Sequence, residues 1–167
     1  MKPMRTTLLL MLTLLLCACS FHLRGKNTLP VEKFYVRTSN EFSPFIVELK
    51  HALEVNGAQI VDSPEEAQLT LHIVSEILDK QILSLSGGGR VREYRLVYRV
   101  SLRAYDPNQQ EWLAASEIVL RRDFSYDDSQ ILSKEQEENL LQKNLRTDAV
   151  DQVLRRLGHA KLPQPSP

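Results

Sequence analysis

Cysteine is nearly absent from this chain, with only Cys17 and Cys19 among 167 residues. A disulfide between cysteines one residue apart would be strained and would close almost no loop. No disulfide framework or cysteine-based metal site is therefore expected. An excess of charge of one sign is missing too. Lys and Arg number 21, as do Asp and Glu, a balance that argues against a nucleic-acid binder. Histidines 22, 51, 72 and 159 stand apart, without metal-ligand spacing. There is no Gly-x-Ser-x-Gly elbow. The run Ser86-Gly87-Gly88-Gly89-Arg90 lacks the Gly-Lys-Ser/Thr ending of a phosphate loop. These absences point away from an enzyme. Charged residues at 25% and apolar ones at 43% are ordinary for one globular domain of this length.

Long apolar runs are also lacking. The longest spans residues 8–16, is broken by Thr13, and follows the basic Lys2 and Arg5. It is about half of the ~20 residues that cross a bilayer, so residues 1–18 read as a signal peptide. Leu16-Cys17-Ala18-Cys19 resembles the bacterial lipobox, with an aliphatic residue, two small ones and then the lipidated cysteine. Cleavage before Cys19 leaves that cysteine at the mature N-terminus. Its covalent diacylglycerol and N-acyl chains are then the only prosthetic group expected, because one acyl chain alone binds membranes marginally. Ser20, rather than aspartate, follows Cys19, which leans towards the outer membrane. Without the leader the chain loses Lys2 and Arg5, leaving 19 basic against 21 acidic side chains. Any anion binding must then come from a local basic cluster.

The body reads as a single domain over residues 31–160, preceded by a lipidated N-terminus and linker (19–30). A proline-rich tail over residues 161–167 reads as disordered. Residues 31–38 alternate as a first strand. Ser43-Pro44 opens a helix, with a capping hydroxyl and then proline at the first helical position. Phe45, Ile46, Leu49, Ala52 and Leu53 recur at helical spacing, and Asn56-Gly57 stops the helix. Residues 59–62 read as a short extended piece. A strand follows from residue 68 to about residue 83, with Leu69, Leu71, Ile73, Ser75 and Ile77 on one face. The triglycine segment is a hairpin connection. Residues 91–105 form the strongest strand, with Tyr94, Leu96, Tyr98, Val100 and Leu102 facing one way and Arg95, Arg99 and Arg103 the other. After the Asp106-Pro107-Asn108 turn, residues 112–123 return with Trp112, Ala114, Ser116, Ile118 and Leu120 aligned. Ser133, with Gln136 three residues on, opens the last helix as a capping box. Leu141, Leu145, Ala149, Val153 and Leu157 form its core stripe. The expected fold is α+β: a two-layer sandwich of a four-stranded mixed sheet with two helices on one face, in the order β-α-β-β-β-α.

Two features are candidates for binding. Arg90, Arg92 and Arg95 cluster beside the triglycine connection, and Lys134 sits in the first turn of the last helix, where a cation opposes the helix dipole. Guanidinium groups match phosphate geometry, and a helix N-terminus offers free backbone donors. The same residues also suit a plain hairpin tip and a lysine offset by Glu135 and Glu138 on a solvated surface. The arginine-bearing sheet face is likewise either solvated or covered by a protein partner.

Cys19-Ser20-Phe21-His22-Leu23-Arg24-Gly25 is similar to the Cys-Gly-Phe/Trp-His-Leu-Arg start of the LPS-assembly lipoprotein family, LptE (also called RlpB). Glu93-Tyr94 in the central strand and Ile131-Leu132-Ser133-Lys134-Glu135 before the last helix fit as well. The resemblance implies a non-enzymatic outer-membrane lipoprotein that plugs the LptD β-barrel one to one, helps it assemble and takes part in delivering lipopolysaccharide to the outer leaflet. It implies lipopolysaccharide contacts at Lys134 and at a basic loop residue carried over to Arg90, with Arg92 beside it. The competing reading is a stand-alone outer-membrane lipoprotein, an envelope scaffold or cell-wall enzyme accessory. That reading would be favoured by an aromatic-lined cleft with paired carboxylates.

Overall fold

The computed structural model describes residues 29–160. The leader, Cys19, most of the linker and the 161–167 tail lie outside the described residues. The elements are β1 (Lys33–Arg37), α1 (Pro44–Val55), β2 (Gln59–Ile60), β3 (Leu69–Leu85), β4 (Val91–Tyr105), β5 (Glu111–Ser125) and α2 (Ile131–Gly158). A single 3-10 turn, Asp128–Gln130, precedes α2. The sheet order is β2-β1-β3-β4-β5. β1 runs parallel to β2 and β3, and the two long hairpins are antiparallel. The α+β sandwich is thus as expected, and the short extended piece adds a fifth strand at the sheet edge.

α1 forms for the local reasons its sequence carries. The Ser43 hydroxyl accepts the Ile46 N–H at 3.3 Å, Pro44 takes the first turn, and Phe45, Ile46, Leu49 and Leu53 are buried. Each such burial stabilises the fold by about 1.5–3 kcal/mol. Gly57, at φ +96°, turns the chain out of the helix. These side chains pack on Phe34 and Val36 of β1, Leu69, Leu71 and Ile73 of β3, and Leu96, Tyr98, Val100 and Leu102 of β4. Leu145, Ala149, Val150, Val153, Leu154 and Leu157 of α2 complete the core. Although α2 runs for 28 residues, about 42 Å, its buried positions begin only at Leu145. Its first half lies over the far end of the hairpins, held by Leu141 and by polar contacts.

The alternation along β3 breaks once. Ile73 pairs with Leu102, but Ser75 pairs with Ser101 and Glu76 with Val100, so Val74 is an extra residue. A bulge of this kind reverses which side chains face the core. The shared face expected for residues 69–77 therefore ends at Ile73. Glu76, Leu78, Lys80 and Ile82 turn towards the helices, and Ile77 goes to the other side, opposite Arg99. A second register shift lies in β5, where Leu102 pairs with Ser116 but Ala104 with Leu113. It separates Trp112 and Ala114 from the Ser116-Ile118-Leu120 row.

The start of α2 also differs from expectation. Ser133 does not cap it, because the helix already begins at Ile131 and its N-cap residue, Gln130, makes no side-chain capping bond. Instead Asp127 caps the preceding 3-10 turn by accepting the Ser129 N–H.

On the helix-free face, Arg95, Arg99 and Arg103 lie half-buried along β4, and Val97 and Tyr105 are buried among them. The arginine stems cover apolar surface and keep their charged heads outward. Arg95 forks onto Asp123 at 2.7 and 2.8 Å, and Arg103 stacks 5.2 Å from the Tyr105 ring.

Candidate functional site: a basic cavity at the far end of the hairpins

The antiparallel pairing of β4 with β5 sets Glu93 opposite Ser125. The Tyr126 N–H then donates to the Arg92 carbonyl at 2.8 Å, which holds the β5–α2 connection against the start of β4. A cavity of about 580 Å³ opens there, with Arg92, Glu93, Ser125, Asp127 and Lys134 among its lining residues. Arg92 is shared with an adjoining cavity of about 490 Å³, which Arg90 lines from the hairpin end. The hairpin itself is closed by the Ser86 N–H on the Arg90 carbonyl (2.7 Å) and the Gly89 N–H on the Ser86 carbonyl (2.9 Å). Gly89 adopts φ +78°, which a side chain would resist.

The charges at this end are not equivalent. Glu93 accepts the Ser84 hydroxyl at 2.6 Å. Asp127 accepts the Ser129 N–H at 2.9 Å and its hydroxyl at 2.8 Å. Those two hydrogen bonds, with a smaller contribution from the nearby Lys134 charge, hold its carboxyl below the usual carboxylate range. Both acids are thus engaged locally. By contrast, the Arg90 and Arg92 guanidinium groups make no hydrogen bond or ion pair among the described residues, and both side chains are exposed. Lys134 is 16% exposed, and its Nζ donates to Ser125 Oγ at 3.0 Å and to Glu137 Oε2 at 2.8 Å. An ammonium carries three donors, so one remains. Two unpaired guanidinium groups and this third N–H can bind an anion, and a phosphate ester fits their number and fork geometry.

Of the residues singled out in the sequence, Lys134 and Arg92 come together in one cavity, and Arg90 lines the next. Arg95 does not join them, being committed to Asp123. The contributions of Ser125 and Glu137 carry no local sequence signal; Glu137, rather than Glu135 or Glu138, offsets Lys134. Glu138 instead meets Lys80 at 2.6 Å. Lys80 also fills the one aromatic cluster nearby, standing 4.2 Å from the Tyr94 ring centre, with Phe124 and Tyr126 at 5.6 and 6.0 Å. That cluster is a cation–π socket for a side chain of the domain itself, unlike the open cleft a cell-wall accessory would need. No helix among the described residues is long and apolar enough to cross a membrane.

Known proteins are similar to this chain in sequence and fold. The LPS-assembly lipoprotein LptE of Yersinia enterocolitica serotype O:8 is 29% identical over 154 residues, covering 90% of this chain and 73% of that protein. The LptE of Yersinia pestis (strain Pestoides F) is 28% identical over 155 residues. Among solved structures, lipoprotein B from Nitrosomonas europaea is 38% identical with a TM-score of 0.72, covering 83% of this chain and 90% of that one. The rare lipoprotein B of Shewanella oneidensis is 28% identical with a TM-score of 0.65, covering 74% and 92%. The profile of one family, described as lipopolysaccharide-assembly, matches residues 31–157, from just before β1 to the last turn of α2. A match that takes in every strand and both helices settles the kinship: the chain belongs to the LptE family of lipopolysaccharide-assembly lipoproteins.

Proposed function

We propose that this protein is a non-catalytic outer-membrane lipoprotein, anchored through Cys19, which plugs the LptD β-barrel and binds lipopolysaccharide phosphates through Lys134, Arg92 and Arg90. The observation that carries the reading is the convergence of Arg92 and Lys134, 42 positions apart in sequence, on one cavity with unpaired donors. The long axis of the domain supports it. The described chain starts at Leu29, four residues before β1, at the end of the sheet where β3 starts, whereas the cavity lies where β3 ends. Fifteen residues of β4 span about 50 Å at ~3.3 Å each, comparable to the ~40–45 Å of a whole bilayer. A domain tethered at one end and lodged in a barrel then carries its basic end to the opposite leaflet.

The outer edge of β3 adds a second support. β1 pairs with β3 only as far as His72. Beyond it, Val74, Ile77, Leu78, Ile82, Leu83 and Leu85 are all exposed. An apolar, unpaired edge of this length is a liability in free solution, and suits a protein that works enclosed by a partner.

Pull-down of the full-length lipoprotein from outer membranes tests the plug. Co-recovery of a large β-barrel protein in equal amount is expected, and recovery of none sinks that role. Lys134→Glu with Arg90→Glu tests the site. The double variant stays folded and loses lipopolysaccharide binding; unchanged binding would remove the site assignment and leave the plug standing.

A further inference from the structure

Lys134 meets its proposed ligand already holding a carboxylate. Glu137 Oε2 lies 2.8 Å from its Nζ, one helical turn on, and is itself 43% exposed. Lys134 lines the cavity together with Arg92, whose guanidinium has no hydrogen bond or ion pair among the described residues. We propose that Glu137 is the cavity's internal competitor for Lys134, so that the site takes phosphate esters and discriminates against carboxylates. This deepens, and rests on, the assignment of the cavity to lipopolysaccharide.

The argument is one of exchange. A ligand carboxylate that takes Lys134 from Glu137 replaces one −1 acceptor by another and gains nothing from that contact. A phosphate monoester carries about −1.5 to −2 charges and three acceptor oxygens. It can take the Lys134 donor released by Glu137, the third Lys134 N–H and the Arg92 fork together. Glu137 is exposed enough to swing into water when displaced, and surface i,i+3 pairs of this type are weak. The contact therefore sets a threshold without closing the site. Ser125 keeps the ammonium in place through the exchange, since its hydroxyl bond at 3.0 Å comes from the sheet and not from the helix.

The test is a double-mutant cycle on the full-length lipidated protein in detergent, with purified lipopolysaccharide as the probe and the same lipopolysaccharide after phosphatase treatment as the second arm. Glu137→Gln tightens binding of untreated lipopolysaccharide by about two- to fivefold. Glu135→Gln, which removes the same charge two residues before Glu137 and so on the opposite side of the helix, leaves affinity unchanged. In a Lys134→Met background, Glu137→Gln has no effect, because the competitor has lost what it competes for. Phosphatase treatment weakens binding to the wild type. Circular dichroism shows each variant folded. The proposal is overturned if Glu135→Gln reproduces the gain, if the gain survives in Lys134→Met, if phosphatase treatment changes nothing, or if Glu137→Gln is silent while Lys134→Met weakens binding. Should Lys134→Met and Arg92→Met together leave wild-type binding intact, the lipopolysaccharide assignment itself falls and takes this inference with it.

Discussion

Removing a single hydroxyl tests how the two layers of this domain are locked together. Tyr98 is 2% exposed, and its OH donates to Glu76 Oε1 at 2.7 Å. The other oxygen of Glu76 accepts the Ser43 hydroxyl at 2.5 Å, and Ser43 caps α1. One carboxylate thus ties β3, β4 and the start of α1. Tyr98→Phe deletes only the donor. The ring stays against Phe45, 6.1 Å away and edge-on, so no large cavity opens. A hydrogen bond to a charged group contributes about 1.5–3 kcal/mol, and Glu76 keeps one of its two donors. The expected loss is about 2 kcal/mol, or a melting temperature about 8 °C lower for a domain of this size. Urea unfolding followed by circular dichroism measures it, and an unchanged m-value confirms that only stability has moved. Tyr35→Phe, at a half-buried tyrosine on the other sheet face, is the control.

The same bond predicts a pH dependence. Burial, and then the Glu76 hydrogen bond and charge, push the Tyr98 phenol far above its ordinary value of 10.0. A group whose folded pKa is raised holds its proton longer in the native state. Its contribution is therefore intact below about pH 10 and is lost as pH rises beyond it. Tyr98→Phe removes that part of the alkaline decline. A loss below about 0.5 kcal/mol, or one no larger than that of Tyr35→Phe, would refute the claim that Glu76 clamps the layers.

Two further perturbations address the opposite sheet face and the bulge. Burial, followed by the charges of Arg37 and Arg103, lowers the His72 pKa from 6.5, so the unfolded chain binds the extra proton first and stability falls as pH drops below about 6.5. His72→Gln is expected to flatten that decline between pH 7.5 and 5 in urea titrations, and an unaltered slope would refute it. Deleting Val74 is expected to cost no more than about 1–3 kcal/mol, because Ile73, Ser75 and Glu76 already oppose three consecutive residues of β4, and Glu76, Leu78 and Lys80 stay turned towards the helices when the extra residue is gone. Val74→Ala, at a side chain 51% exposed, costs under ~1 kcal/mol, and a deletion that unfolds the domain would refute the reading of Val74 as an extra residue in the ladder.

What the sequence disclosed, and what it hid, follows from the range of each interaction. Ser43, Pro44, Asn56 and Gly57 delimit α1 correctly because capping and left-handed turns are decided within four or five residues. The strands of the two hairpins are legible for the same reason, through alternation and turn chemistry. The Val74 bulge is not, since 69–77 alternates without interruption and the extra residue exists only relative to β4. Ser133 and Gln136 spelled a capping box that the fold overrides. Ile131 and Leu132 are already helical, and Asp127 with Ser129 turns the chain before them. The basic cluster was visible as separate residues, but its shape was not. Arg92 shares a cavity with Lys134 because the β4–β5 register places Glu93 beside Ser125 and the Tyr126 N–H on the Arg92 carbonyl. Which glutamate restrains Lys134 is likewise a matter of side-chain reach at the start of α2: Glu138 goes to Lys80, and Glu137, one turn on, meets Lys134. A lysine that is unfavourable for its helix, poorly exposed and held by a sheet serine is positioned by the tertiary structure at a cost in local stability. That cost is what a binding residue, and not a solvated surface charge, would be expected to carry.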